Sequence, residues 1–263
     1  MSEVYVITSG KGGVGKTTTS ANIGAGLAEL DKKVILIDTD IGLRNLDVVL
    51  GLENRIIYNL VDVIEGKCRI KQAVIKDSRF PNLSLLPSSQ AKDKTAVTPY
   101  QMRKLIEQLK SDYDYILLDC PAGIEQGFSN AVAGAEHAII VTTPEVSAIR
   151  DADRVSGLLS SRGIEDIHLI VNRLRWDLIK KGDMMSVDDV VDILGLSLLG
   201  CIPDDEQVVI STNHGYPVID IKSPAGAAFG DICRRLTGDE DEVSYHNYRR
   251  GLLNRLGRLL KIS

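Results

Sequence analysis

The chain contains no uninterrupted apolar run of about 18 residues, so no segment reads as a membrane-spanning helix. It has no close pair of cysteines. Cys68, Cys120, Cys201 and Cys233 are scattered, which argues against a zinc ribbon or a disulfide framework and fits a reducing cytosol. Each reads as a small apolar core residue. The four histidines, His137, His168, His214 and His246, show no metal-ligand spacing. There is no excess of positive charge: the net charge is -5, which argues against a nucleic-acid coat over the whole surface. No internal repeat is visible. Met1-Ser2-Glu3 leads directly into a strand pattern, without a secretory leader. What remains is ordinary for a globular protein, with 44% hydrophobic and 25% charged residues. At 263 residues it suits one large α/β domain.

The chain is organised around Ser9-Gly10-Lys11-Gly12-Gly13-Val14-Gly15-Lys16-Thr17-Thr18. An apolar strand run, Val4 to Ile7, precedes it, and a helical pattern with Ile23, Leu27 and Leu30 on one face follows. Gly10, four residues, Gly15, Lys16 and Thr17 match the phosphate-binding loop in its strand–loop–helix context. Glycines let backbone N–H groups crowd a phosphate, and the helix starting near Lys16 adds its positive dipole end. Lys16 suits β/γ-phosphate oxygens and the Thr17 hydroxyl suits Mg²⁺.

Two further strand ends carry carboxylates. Val34 to Ile37 is continuously apolar, as a buried parallel strand is, and ends in Asp38-Thr39-Asp40. Ile116 to Leu118 ends in Asp119, followed by Cys120-Pro121-Ala122-Gly123. Asp119 reads as the Mg²⁺-holding acid of the second nucleotide motif, and Gly123 as a hinge whose N–H can meet a γ-phosphate. Later strands run over Ala138 to Thr142, Ile167 to Arg173 and Leu198 to Ile202. Short elements are expected at Asn59 to Ile64, Asn82 to Pro87 and Tyr100 to Leu109, and a last helix at Pro224 to Leu236. The charges of Arg150, Asp151, Asp153 and Arg154 read as salt pairs on a helix surface. The Asn172 amide can donate to and accept from an adenine edge, but it can equally cap a turn. Strands alternating with helices predict a mainly parallel twisted sheet covered by helices on both faces, a P-loop NTPase architecture.

Lys11 is not required by an ordinary phosphate loop. Lys11-Gly12-Gly13-Val14-Gly15-Lys16-Thr17-Thr18 resembles the deviant Walker A motif of the MinD/ParA ATPase family, and the stretch after Asp38 resembles that family's first switch. The resemblance implies a Mg²⁺-dependent ATPase that dimerises on ATP, with Lys11 reaching the partner's phosphates. It implies that Asp40 positions the attacking water and that Asp38 supports Mg²⁺ through its water shell. It places Asn172, Arg173, Pro203 and Asp204 around the base, although Asp204 stands where the family more often has Glu. It puts Asp151 and Asp153 on the dimer and regulator face.

Residues 239–248 begin with the acidic Asp239-Glu240-Asp241-Glu242 and read as a flexible linker joining the 1–238 ATPase domain to a terminal segment. Across 249–263, Leu252, Leu253, Leu256, Leu259 and Leu260 share one side of a helix. Arg250, Arg255, Arg258 and Lys261 project elsewhere round it, the pattern of an in-plane helix on an anionic membrane. The MinD branch of the family has such a tail and ParA relatives generally lack it. The resemblance therefore implies division-septum placement, recruitment of the division inhibitor MinC, and control by MinE or a DivIVA-linked system. It also implies a cytoplasmic protein peripheral to the inner face of the cell membrane, with no specific nucleic acid partner. The alternatives are a ParA-like DNA-segregation ATPase, which needs a basic patch on the domain, and a reductase like the nitrogenase iron protein, which needs cluster-bridging cysteines.

Overall fold

A computed structural model describes residues 2–238. The linker and amphipathic-helix expectations for 239–248 and 249–263 lie outside the described residues. Among the described residues, no helix is long and apolar enough to cross a membrane.

Eight strands form one sheet: β1 (Glu3–Thr8), β2 (Val34–Asp38), β3 (Ile75–Lys76), β4 (Leu83–Leu86), β5 (Tyr115–Asp119), β6 (His137–Thr142), β7 (Ile167–Leu174) and β8 (Ser197–Pro203). Their order is β3-β4-β2-β5-β1-β6-β7-β8. All neighbours are parallel except β3 with β4, which pair antiparallel. That edge pair corrects the expectation of strict strand–helix alternation. No helix separates β3 from β4, and a two-residue strand carries too little pattern to be seen in a sequence.

The helices are α1 (Lys16–Glu29), α2 (Leu46–Val49), α3 (Leu60–Ile64), α4 (Ile70–Ala73), α5 (Pro99–Leu109), α6 (Gln126–Val132), α7 (Val146–Ser160), α8 (Trp176–Lys181), α9 (Val187–Leu194), α10 (Glu206–Asn213) and α11 (Pro224–Leu236). The strands are apolar on both sides because both sides are covered. Val4, Val6, Ile35, Ile37, Ile116 and Leu118 pack with α5, α6, α7 and α9 on one face. Tyr5, Ile7, Val34, Leu36, Tyr115 and Leu117 pack with α1, α2 and α11 on the other. Cys120, Cys201 and Cys233 lie buried in these cores, whereas Cys68 is only partly buried. Gly26 shows how tightly α1 is held. A Cβ there would stand 2.3 Å from Ile219 Cδ1 and 2.6 Å from Cys233 Sγ on the α11 side.

Local signals fix the helix starts. Thr98 caps α5 through a capping box with Gln101, ahead of Pro99 at the first turn. Asn59 and Asp62 form the same reciprocal box at α3. The sheet order reverses at β1, which lies between β5 and β6. In a parallel sheet, the crevice beyond the strand C-termini at such a reversal is where ligands bind. The glycine-rich loop leaves β1 at that point.

Candidate nucleotide site

The loop from Ser9 to Gly15 turns on Gly13 (φ 77°) and Gly15 (φ 99°), backbone conformations that disfavour a side chain. Gly15 is the N-cap of α1 and has no capping side chain, so the first N–H groups of a 14-residue helix face the crevice unscreened. Two neighbours press the loop into shape. A Cβ at Gly10 would lie 2.3 Å from the Asp151 carbonyl oxygen on α7, and one at Gly15 would lie 2.3 Å from Asn172 Nδ2 on β7. Gly12 faces Ala122 of the Pro121-Ala122-Gly123 turn, whose glycine has φ 90°.

Behind the loop two carboxylates meet. Asp38 and Asp119 are register partners at the C-terminal ends of β2 and β5, and both are almost fully buried. Burial, then the Asp119 charge, push the Asp38 carboxyl up to about 8. Burial raises Asp119 to about 6, against the opposing pull of the Ser20 hydroxyl, the Lys16 charge and the Thr17 hydroxyl. Two buried carboxylates side by side, with a threonine hydroxyl beside them, form a hard oxygen donor set that a divalent cation suits. Mg²⁺ fits these residues for that reason.

Asp38 has a second task. One oxygen accepts from Asp40 N–H at 2.9 Å, and the other accepts from Asn45 and Leu46 N–H at 3.2 and 3.3 Å. The carboxylate therefore closes the Asp40–Asn45 loop at both ends and holds Asp40, half-buried, at the mouth of the crevice. Thr39 binds the Asp119 carbonyl through its hydroxyl at 2.7 Å. The segments that follow β2 and β5 are thus tied to each other beneath the phosphate loop.

Lys16 is buried and Lys11 is not. Within one chain, the Lys11 ammonium pairs with Glu145 at 2.9 Å and donates to Ser147 at 3.1 Å, at the start of α7. The surface salt pairs expected within Arg150–Arg154 do not form among the described residues. Instead the Asp151 backbone abuts Gly10, since α7 packs edge-on to the loop. Asp153 lines a shallow hollow with Val146, Ile149 and Ile193. Val146 and Ile193 are more than half exposed, which marks that face as apolar and accessible.

The four expected base-binding residues converge. Asn172, Arg173, Pro203 and Asp204 line one cleft with Gly15 and Thr18. The Asn172 amide is already engaged, donating to the Val14 carbonyl at 2.8 Å and accepting from Arg173 N–H at 2.8 Å. Asn172 sits within β7 where the pairing with β8 shifts register between Val171 and Leu174, and one N–H and one lone pair of its amide remain for a ligand. Arg173 sits at φ 57° within that irregularity.

Sequence reasoning missed Ser20, whose hydroxyl donates to Asp119 at 2.8 Å. It lies one helical turn after Lys16, and that spacing was the available signal. Also missed was Asp47, fully buried beside Arg44. Burial raises its carboxyl and Arg44 partly opposes this. Among the described residues no group of three His, Cys, Asp or Glu is placed to hold a metal. His137 instead lies between Glu3 and Asp166 at the opposite end of the sheet.

Comparison with known proteins gives a consistent picture. A family model described as an AAA domain matches residues 2–162. The septum site-determining protein MinD of Bacillus subtilis is 57% identical over 91% of this chain and 90% of its own length. That of Synechocystis is 54% identical over 99% of both chains. Among solved structures, the MinC:MinD cell division protein complex of Aquifex aeolicus superposes with a TM-score of 0.87 at 51% identity, covering 92% of this chain and 99% of that one. The Pyrococcus horikoshii septum site-determining protein MinD complexed with Mg-ADP has a TM-score of 0.80 at 31% identity, covering 92% and 100%.

Proposed function

This chain belongs to the MinD/ParA family of ATPases, and from that premise we propose that it is a Mg²⁺-dependent, ATP-dimerised protein of division-septum placement that recruits MinC at the membrane. The observation that carries the reading is the buried Asp38–Asp119 pair at adjacent strand ends, directly behind Thr17 and a phosphate loop that bears a second lysine.

The reaction is hydrolysis of ATP to ADP and phosphate. A water oxygen bonds to the γ-phosphorus, the bond from that phosphorus to the β–γ bridging oxygen breaks, and the water proton passes to a phosphate oxygen. Thr17, Asp38 and Asp119 would hold Mg²⁺, which would neutralise phosphate charge when bound. The loop N–H groups and Lys16 bind and orient the triphosphate. Asp40 orients the water, a reading supported by the Asp38 carboxyl, which fixes the Asp40 backbone N–H. Asn172 and Arg173 of β7 and the Pro203-Asp204 segment embrace the base. Lys11 leaves Glu145 and Ser147 to reach the phosphates of a second subunit, so turnover waits on dimerisation, as it waits on an arginine finger elsewhere.

Membrane residence follows from the same step. A tail helix of about 12–15 residues is marginal alone in water, and its five leucines only half sink into an interface. Two tails on one dimer gain avidity of roughly 10²-fold or more. ATP thereby controls attachment of a cytoplasmic protein to the inner membrane face, and MinE or a DivIVA-linked system sets where it accumulates. Light scattering of the protein with ATP, with ADP and with MinC tests the proposal. A dimer that captures MinC only with ATP is expected. A mass independent of nucleotide would contradict it.

A further inference from the structure

At the end of the sheet opposite the phosphate loop, a cavity of about 630 Å³ opens between α4, the β4 edge and the turn into β5. Its size is that of a small-molecule site. Three lysines line it, Lys33, Lys71 and Lys76, against one carboxylate, Asp112. Among the described residues none of the three ammonium groups has an ion-pair partner, whereas Lys67, Lys92 and Lys110 each pair with a carboxylate. The lysines come from three separate elements: the turn before β2, α4, and β3. Their convergence is therefore a product of the fold and not of one charged run. The floor beneath them is apolar, with Ile70, Val74 and Leu109.

We propose that Lys33, Lys71 and Lys76 form a binding cavity for a phosphate ester carrying an apolar portion, either a glycerophospholipid headgroup or a soluble phosphate ester. Three mobile point charges over an apolar floor suit a phosphate joined to a hydrocarbon stem. The lipid source rests on the membrane reading above; the anion site itself does not. The cavity and the end of α11 lie at the same end of the sheet, on opposite faces of it. Tyr115 donates its backbone N–H to the Lys33 carbonyl, and its phenol donates to the Leu236 carbonyl at the end of α11. From there, the ten residues of 239–248 span at most about 33–36 Å. A tail lying on a membrane therefore keeps this end of the domain within reach of headgroups.

The test uses the full chain saturated with MgADP, so that the phosphate loop is occupied. Hexyl phosphate is titrated by amide chemical shift against wild type and against Lys33→Gln/Lys71→Gln/Lys76→Gln. All three side chains are exposed, so the variant is expected to melt as wild type does. Saturable shifts at Lys33, Lys71 and Lys76, weakened at least tenfold in the variant, are expected. In parallel, MgATP-dependent binding to phosphatidylglycerol vesicles is compared. A tenfold loss there, with solution ATP turnover unchanged, assigns the headgroup; unchanged vesicle affinity assigns the soluble ester. Absence of probe binding, or equal binding by the variant, overturns the proposal. So does binding that emerges only when Asp239, Glu240, Asp241 and Glu242 are neutralised, since the occupant is then the chain's own acidic stretch. If neither protein binds vesicles the membrane reading fails, and the hexyl phosphate titration still decides the cavity.

Discussion

Removing the charge of Asp38 exposes the logic of the nucleotide site. In the metal-free protein its carboxyl is raised to about 8 and that of Asp119 to about 6, both chiefly by burial. A group raised on folding stabilises the fold fully below its unfolded value and loses that contribution as pH climbs towards its folded value. Relative to acid pH, the two therefore weaken the apo fold at pH 7 by roughly 3–4 kcal/mol each, an upper bound because they interact. The stability of apo wild type should fall between pH 5 and 8 more steeply than that of Asp38→Asn. The asparagine also loses an acceptor for Asp40, Asn45 or Leu46 N–H, a cost of about 1–3 kcal/mol that does not vary with pH. The pH slope thus separates the two effects. Urea midpoints measured across that range, with and without MgADP, give the slope. MgADP should flatten the wild-type curve, since the cation offsets the paired charges, and should change the variant less. Parallel curves for wild type and Asp38→Asn would refute the reasoning.

Other outcomes follow from single contacts. Gly10→Ala should displace the loop from Asp151 and abolish ATP binding while costing about 1–3 kcal/mol of stability, read by calorimetry and a fluorescent nucleotide; retained affinity would show that α7 yields easily. Ser20→Ala should raise the Asp119 carboxyl further and move the acid limb of Mg²⁺ affinity to higher pH, measured by metal titration between pH 5 and 7. Asp40→Ala should bind ATP and dimerise but turn over slowly, and single-turnover hydrolysis checks it; a normal rate would remove Asp40 from water positioning. Leu253→Asp should keep ATP binding and lose vesicles.

Much of this was legible in the residues. Long apolar runs ending in Asp38 and Asp119 announced buried parallel strands with carboxylates at the ligand edge, and the pairing β2–β5 places them together. Pro224–Leu236 stands as a helix where its apolar period put it. Less legible were elements whose cause is tertiary. The short β3 exists by pairing with β4, and Arg79 bridges Asp77 to the Gly215 and Leu50 carbonyls across distant segments. The interface of Gly10 with Asp151 was hidden as well. A glycine in a phosphate loop explains itself by the phosphate, and nothing in the local pattern says that α7 presses on it. The same holds for Asp38, read as a metal supporter but equally the acceptor that shapes the switch loop. Lys11 carried a family signature, while its partners within one chain, Glu145 and Ser147, lie more than 130 residues away.

The central claim is that ATP, through dimerisation, decides whether the tail holds a membrane. Co-sedimentation with anionic vesicles, using the full chain and a chain ending at Gly238, each with ATP and with ADP, tests it most directly. The account predicts binding only for the full chain with ATP. Equal binding with ADP, or binding by the shortened chain, would contradict it.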